Sequence, residues 1–486
     1  MIIVSITGPS SRRALEQMKA SESYADIFEL RLDLLDANNV ASLFRAASKP
    51  ILATCRSRAQ GGNFAGTDKQ RFDILSEAVR LGAPYVDVEL AAGSEFIERF
   101  RSEHTRTRIV LSVHCTDGEK IDVRHLYASM RALAPFAMKL AYVAQDAADI
   151  AYAVEFLALA RNDAMKAIAV AMGEYGEATR ILYRKLGGWA TFASPQFGAE
   201  SAPGQIPARL LKTLYRADTL NASSKVFGVI GNPLRQSKGV FVHNPLFEKM
   251  GMNAVYCRFP VADLERFMTS VAPMLSGFSV TIPHKQSVMQ YLDLIDDRAR
   301  AIGAVNTVVR RRGKWYGTNT DASGALDAIE RGVRVKGKRL LVVGAGGAAR
   351  AIAYEAKRRG ADILIANRTD ERAKQLALEL GLTYLPHDFL PEAKFDILAN
   401  ATPVGMVPDV DVSPVPARIL KGKIVFDAVY NPPVTKLLRD AQRAGAKVIR
   451  GTEMYLNQAA LQFELYTGRK PSPTLMRKLL TNAAND

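Results

Sequence analysis

The stretch Lys338–Thr369, KRLLVVGAGGAARAIAYEAKRRGADILIANRT, reads as strand, glycine turn, helix, strand. GAGGAA (Gly344–Ala349) follows the first apolar run and opens the helix. In that setting the glycines let the backbone approach a pyrophosphate at a helix N-terminus. A glycine-rich turn with no ligand does not require this strand–turn–helix context. Gly344, Ala345, Gly346, Gly347 and Ala348 are therefore candidate cofactor contacts. About 20 residues on, an acid would hold the ribose hydroxyls of NAD. Here the second strand ends at Asn367, Arg368 and Thr369. An arginine there suits a 2′-phosphate, so NADP is the expected cofactor. NATPVGM (Asn400–Met406), with Thr402, would sit on the nicotinamide side.

Around this unit lies a chain of 486 residues, too long for one ordinary core. Hydrophobic residues make up 48% and charged residues 23%, which argues for globular domains and against disorder. No apolar run approaches the roughly 20 residues of a membrane helix. The first strand-like segment begins at Met1 with no basic leader, so neither a signal peptide nor a transit peptide is expected. Cys55, Cys115 and Cys257 lie far apart without a CxxC, which fits a reducing cytoplasm and no disulfide framework. The six histidines are scattered and none is at ligand spacing, so no metal site is expected. The net charge of +16 is spread along the chain and accompanies no RNA-binding or zinc-finger signature. It reads as a solvated basic surface, or as a field that draws in anionic substrates, rather than as a nucleic-acid interface.

The first 215 residues or so alternate short apolar strands with amphipathic helices. The expected strands are Met1–Ile6, Ile27–Leu32, Pro50–Cys55, Tyr85–Leu90, Arg108–Val113, Phe136–Ala141, Ala167–Met172 and Ala190–Ala193. Eight βα units in sequence predict an α/β fold with an N-terminal (β/α)8 barrel. A polar stretch, Arg216–Lys225 (RADTLNASSK), reads as a linker, and a second α/β pattern begins at Val226.

Barrels of this kind carry their chemistry where strands end and loops begin. Glu29 and Arg31 end the second strand, Arg56 follows the third, and Asp87 and Glu89 lie on the fourth. His114 ends the fifth, and Lys139 sits in the sixth, FAMKLA. Arg180 lies after the seventh, and SAPGQ (Ser201–Gln205) follows the eighth. A lysine within an apolar strand is costly unless it has a partner or a task. Desolvation lowers its pKa and yields a neutral amine, a nucleophile for ketones. A lysine snorkelling from an edge is the bland alternative. Lysine together with a histidine on the adjacent strand end fits imine formation followed by proton abstraction beside it.

The motifs ELRLD (Glu29–Asp33), TCRS (Thr54–Ser57), LSVH (Leu111–His114), MKLA (Met138–Ala141) and SAPGQI (Ser201–Ile206) make this half resemble the type I 3-dehydroquinate dehydratases. The resemblance implies Lys139 as the Schiff-base lysine and His114 as general acid and base. It implies Arg180 on the substrate carboxylate, with Glu29, Arg31, Arg56, Ser201 and Gln205 around the ring hydroxyls and the carbonyl end. One departure is Gln60, in RAQGG, where many family members carry an acid.

The second half carries SVTIPHK (Ser279–Lys285), GAVNT (Gly303–Thr307) and GTNTD (Gly317–Asp321). Lys285 and Asp321 suggest a proton-transfer pair, with a surface ion pair as the alternative that spacing leaves open. These motifs and GTEMYLNQAALQFELYTG (Gly451–Gly468) resemble the shikimate dehydrogenases, from Val226 to about Lys478. The resemblance implies Lys285 and Asp321 as the catalytic pair. It implies substrate contacts from Ser237, Thr281, Asn306, Tyr430, Gln458 and Gln462. It departs from the family at Gly239 and Val240, in SKGV where SKSP is common, and at Thr318, where tyrosine is usual.

Together the halves resemble the fused dehydratase–dehydrogenases. The expected domains are a barrel over 1–215, a linker over 216–225, a substrate-binding domain over 226–325 plus 452–486, and a Rossmann NADP-binding domain over 326–451. The expected partners are 3-dehydroquinate, 3-dehydroshikimate and shikimate, with no nucleic acid and no membrane. A quinate dehydrogenase in the second half is the alternative. A regulator that binds these acids without turnover is disfavoured, because it needs neither Lys139 and His114 nor Lys285 and Asp321.

Overall fold

In a parallel barrel each strand alternates between the lumen and the helical shell. The computed structural model, which describes residues 1–35, 40–118, 120–234 and 237–483, forms eight strands in the first half. They are β1 (Ile2–Ile6), β2 (Ile27–Arg31), β3 (Ile51–Thr54), β4 (Tyr85–Glu89), β5 (Arg108–Cys115), β6 (Ala137–Val143), β7 (Lys166–Met172) and β8 (Thr191–Ala193). They pair in parallel in the order β7-β6-β5-β4-β3-β2-β1-β8. A hydrogen bond from Trp189 N to the Ala167 carbonyl (2.8 Å) spans the seam between β7 and β8.

Ile3, Ile27, Leu52, Tyr85, Val110, Ala137, Ile168 and Phe192 share a buried apolar cluster in the lumen. Two residues further along the same strands, on the same face, come Ser5, Glu29, Thr54, Asp87, Ser112 and Lys139, all buried. The lumen is thus apolar at the start of the strands and polar at their C-terminal ends. Ala53, Val86, Val88, Leu111, Met138 and Leu140 face the shell, where they meet Phe72, Leu75, Phe100 and Phe156 of the helices.

The chain divides into two compact units, 1–226 with 247–274, and 227–246 with 275–486. The segment 247–274 contains β10 (Ala254–Pro260) and the helix Leu264–Ser270. Within 216–225, Ala217, Leu220 and Ser224 are buried.

The second unit holds two sheets. One runs β9 (Lys225–Gly231), β11 (Gly277–Val280), β13 (Thr307–Arg311), β14 (Lys314–Thr318), β12 (Leu294–Ile295), with antiparallel pairing on both sides of β13. The other comprises β15 (Arg339–Val343), β16 (Asp362–Ala366), β17 (Thr383–Tyr384), β18 (Ile397–Asn400), β19 (Ile424–Asp427) and β20 (Lys447–Ile449). It is wholly parallel in the order β17-β16-β15-β18-β19-β20. Chain progression reverses between β15 and β18, and at such a switch point the strand ends open a ligand crevice. This is a Rossmann arrangement, and Gly344 and Thr402 follow the two strands that flank the crevice. Among the described residues no helix is long and apolar enough to cross a membrane.

Candidate active sites

In the polar layer of the barrel, Lys139, Asp87, Arg56, Glu89 and Ser112 form one connected network. Lys139 Nζ lies 3.0 Å from Asp87 Oδ2 and 4.3 Å from the centre of the Phe192 ring. Arg56 pairs with the other Asp87 oxygen at 2.7 Å and with Glu89 at 3.1 Å, and donates to Ser112 Oγ at 2.9 Å. Ser112 in turn donates to Asp87 Oδ1 at 2.6 Å. Burial lowers the pKa of Lys139, Asp87 opposes that shift, and Arg56 adds to it. Burial works against the charge of Asp87, but Arg56 and Lys139 hold its carboxyl well below the usual range. His114, one layer further out on β5, is held well below its usual pKa by burial and by the cations Arg56 and Lys139. The site therefore offers a depressed amine beside an imidazole that is neutral at neutral pH.

The remaining expected residues each make contacts of their own. Glu29 accepts from Ser5 Oγ (2.6 Å) and Thr54 Oγ1 (3.0 Å). Arg31 is engaged by both oxygens of Asp33, at 2.9 and 2.7 Å. Gln205 donates to Ser201 Oγ (2.9 Å) and accepts from the Ser201 N–H (2.8 Å), which ties the loop after β8 into a closed turn. Gln60 Oε1 accepts from the backbone N–H of His114 at 2.7 Å, so the amide that replaces the usual acid anchors the strand end bearing the imidazole.

Arg180 is different. It is fully buried on the short helix Glu177–Ile181; its Nη1 donates to the Phe192 carbonyl at 3.3 Å, and its Nε has no hydrogen-bond partner among the described residues. Burial alone pushes its pKa down to about 10. A buried guanidinium without a carboxylate is costly, and an anionic ligand would offset that cost.

The sequence names Asp87 on the fourth strand without giving it a role, and Ser5 and Ser112 are not singled out. The signal was available: each is a polar residue on the lumen face of an otherwise apolar strand.

In the second unit, Lys285 Nζ lies 2.5 Å from Asp321 Oδ2. Asp321 opens the helix Asp321–Glu330, and the chain before it is fixed because Asn306 Oδ1 accepts from Thr320 N at 2.8 Å. Gln462, on the helix Gly451–Thr467, donates to Thr307 Oγ1 (3.1 Å) and accepts from Ser279 Oγ (2.9 Å), so residues far apart in the chain meet at one end of β11 and β13. Tyr430 packs on Tyr455 with ring centres 4.8 Å apart, and Gln458 donates to the Tyr455 carbonyl at 3.2 Å. Thr281 follows β11, and its N–H donates to the Ile230 carbonyl at 2.9 Å. The Ser237 N–H donates to the Leu234 carbonyl at 2.9 Å, and Gly239 opens the helix Gly239–Lys249. Thr318, in place of the usual tyrosine, donates its hydroxyl to Asp296.

The dinucleotide loop fits its expected ligand. Gly344 has φ +125°, and a Cβ there would press on Ala401 and Thr402 at 3.1–3.2 Å, whereas Gly346 faces open space. A Cβ on Gly347 would meet the Lys285 side chain at 3.0 Å, so the loop and the candidate catalytic lysine are in contact. The helix Gly347–Arg358 begins at this loop, and among the described residues no side chain caps it. Thr402 donates to Asn400 Oδ1 at 2.7 Å, and Asn400 donates to the buried Asp427 at 2.9 Å. Asn367 donates to the Thr369 carbonyl at 2.9 Å, and Arg368 is exposed beside them, within reach of solvent.

Residues 2–222 match the model of type I 3-dehydroquinase. Residues 229–308 match the shikimate dehydrogenase substrate binding domain, 327–407 shikimate / quinate 5-dehydrogenase, and 451–481 the shikimate 5′-dehydrogenase C-terminal domain. The chain is 38% identical to the chloroplastic bifunctional 3-dehydroquinate dehydratase/shikimate dehydrogenase of Arabidopsis thaliana, over 95% of this chain and 81% of that one. It is 30% identical to the shikimate biosynthesis protein AroDE of Chlamydia pneumoniae, over 96% and 95%. A crystal structure of a shikimate dehydrogenase in complex with NADP+ superposes with a TM-score of 0.51 at 40% identity, covering 54% of this chain and 97% of that one. Near-complete coverage by fused relatives shows that the chain belongs to the family of bifunctional 3-dehydroquinate dehydratase/shikimate dehydrogenases.

Proposed function

We propose that the chain converts 3-dehydroquinate to 3-dehydroshikimate in the barrel and reduces that product to shikimate in the second unit, with NADP as cofactor. The observation that carries the first reaction is the buried Lys139, 3.0 Å from Asp87 and depressed by burial. Its neutral amine adds to the substrate ketone, water leaves, and a proton taken up from solvent gives an iminium. His114 removes a proton from the adjacent carbon, and the electron pair forms an enamine. The enamine expels the ring hydroxyl, which departs as water with a proton from His114, leaving a carbon–carbon double bond. A second water hydrolyses the imine and frees Lys139. Arg180 holds the substrate carboxylate, while Glu29, Arg31, Arg56, Ser201 and Gln205 surround the ring.

The second reaction rests on the Lys285–Asp321 pair lying against Gly347 of the dinucleotide loop. Gly344–Ala348 would hold the pyrophosphate, Asn367, Arg368 and Thr369 the 2′-phosphate end, and Thr402 the nicotinamide side. When bound, the reduced cofactor supplies the hydride. Lys285, oriented by Asp321, gives a proton to the oxygen being reduced. Ser237, Thr281, Asn306, Tyr430, Gln458 and Gln462 complete the acid's pocket.

Borohydride added with 3-dehydroquinate tests the imine. Covalent labelling should fall on Lys139 and abolish only the dehydratase activity; labelling that persists in Lys139→Ala refutes the assignment. Quinate oxidation by the second unit is favoured by one observation, Gly239 in place of a serine at the start of the helix Gly239–Lys249, and comparing kcat/KM for shikimate and quinate decides it. Free Cys55, Cys115 and Cys257 support a reducing, cytoplasmic setting.

A further inference from the structure

Residues 247–274 fall within the match to the shikimate dehydrogenase substrate binding domain, yet they pack in the first unit. Their contacts there fall on the loop after β6, on the turn and short helix after β7, and on Arg216 beyond the barrel. Asp146 Oδ2, in the loop after β6, accepts from the backbone N–H groups of Ala262 (2.6 Å) and Asp263 (3.0 Å). Asp149 pairs with Arg266 at 2.8 Å. Arg216 reaches the carbonyls of Met252 (3.3 Å) and Ala254 (3.0 Å). Strand β10 packs against the turn Glu174–Gly176 and the helix Glu177–Ile181.

That helix bears Arg180, and five residues are too few to hold a helix by backbone hydrogen bonds alone. Side chains therefore set its orientation. On the barrel side, Thr179 Oγ1 donates to the Gly176 carbonyl (2.8 Å) and accepts from Ala171 N (3.0 Å). At the helix start, Glu177 Oε1 accepts from Tyr215 OH at 2.8 Å and lies 3.6 Å from Arg258 Nη1 on β10. Arg258 and Glu177 are each about one-fifth exposed, so solvent screens this contact only partly.

We propose that Arg258, from the part of the sequence that matches the dehydrogenase, is a positioning residue for the dehydratase. Through Glu177 it orients the helix that presents Arg180, and so sets the affinity for the substrate carboxylate. The inference rests on Arg180 holding that carboxylate. It makes the second half of the sequence a component of the first active site's binding arm.

Steady-state kinetics on the full chain test it. Arg258→Ala should raise KM for 3-dehydroquinate about three- to tenfold and leave kcat within a factor of about two, because a tilted binding arm weakens ground-state and transition-state binding alike. Arg258→Lys should restore most of the loss, and shikimate oxidation should be unchanged in both variants. Glu177→Gln should reproduce the rise in KM, and the double variant should add little to it. An unmoved KM in Arg258→Ala, a parallel fall in kcat, or a joint loss of both activities overturns the positioning role. Arg180→Ala separates the two readings: if it leaves KM unmoved, the carboxylate assignment is wrong. If it raises KM while Arg258→Ala does not, only the positioning role fails.

Discussion

Asp87 reaches from β4 to place its Oδ2 3.0 Å from the Nζ of Lys139 on β6. The strand between them supplies Ser112, which is in register with Glu89 on one side and Lys139 on the other. Asp87 favours the charged form of the lysine, against burial and Arg56. Asp87→Asn should therefore lower the pKa of Lys139 further. The acid limb of borohydride trapping should move to lower pH, even as kcat falls through lost positioning. A limb at unchanged or higher pH would refute this electrostatic role.

Gln60 predicts a second effect on the same site. Its side-chain oxygen holds the backbone of His114. Gln60→Ala removes that acceptor, a loss on the order of 1–2 kcal/mol, or about tenfold or more in dehydratase kcat. Gln60→Glu keeps the acceptor but adds a negative charge, which favours imidazolium. Its kcat at neutral pH should stay close to the parent's, while the acid limb of the profile moves to higher pH. A kcat–pH series on both variants measures this, and equal behaviour of the two would dismiss the hydrogen bond.

Arg368 is exposed at the end of β16, and in the function proposed above it meets the 2′-phosphate. A charge-assisted contact of this kind is worth roughly 1.5–3 kcal/mol, or about one to two decades of affinity. Arg368→Ala should raise KM for NADP and leave NAD nearly unaffected. Equal use of both cofactors by the parent protein would contradict the reading of this strand end.

Gly239 bears on substrate choice. A serine there would donate to the substrate carboxylate and fill space beside the ring carbon that bears it. That carbon is planar in shikimate, and in quinate it is tetrahedral with an extra hydroxyl. A roomy pocket discriminates weakly against an added hydroxyl. The parent should prefer shikimate with measurable quinate oxidation, and Gly239→Ser should raise the shikimate-to-quinate ratio of kcat/KM. A parent that prefers quinate would reverse the assignment, and an unchanged ratio in the variant would clear Gly239. Arg235, a further candidate for the carboxylate, lies outside the described residues.

Asp427 predicts a pH dependence of stability. Burial raises its pKa from 3.8 to about 6, despite bonds from Thr435, Val429 and Asn400. The folded state then holds its proton more tightly than the unfolded one. The stability this confers is complete below about pH 4 and is lost as pH rises through about 6, a swing on the order of 3 kcal/mol. Asp427→Asn has no such titration. Thermal denaturation should show the variant gaining on the parent between about pH 4 and 7, and a constant difference across that range would exclude an ionising Asp427.

Much of this was legible in the chain itself. The apolar segments expected as barrel strands all form, within about two residues at each end. Each is a short run bounded by turns, and helical periodicity separates it from the next. GAGGAA announced the switch-point crevice because the glycines stand where only a small residue allows close backbone approach. Lys139 was visible as a charge in an apolar strand, and the Lys285–Asp321 pair was visible as two motifs. Whether that pair met was not, since 36 residues separate its members and only the turn fixed by Asn306 and Thr320 brings them to 2.5 Å.

What the sequence determined by itself is the sum of local preferences: period, turn chemistry and the residue types at strand ends, which decide the two folds and the cast of reactive groups. Tertiary structure alone decided the pairings. Asp87 against Lys139, Gln60 against His114, and 247–274 within the first unit all join residues tens of positions apart. Such contacts depend on strand register and on which lumen positions share a layer. Electrostatics then act over a few ångströms, so a shift of one residue in register would turn Asp87 into the helical shell and leave the lysine unpaired.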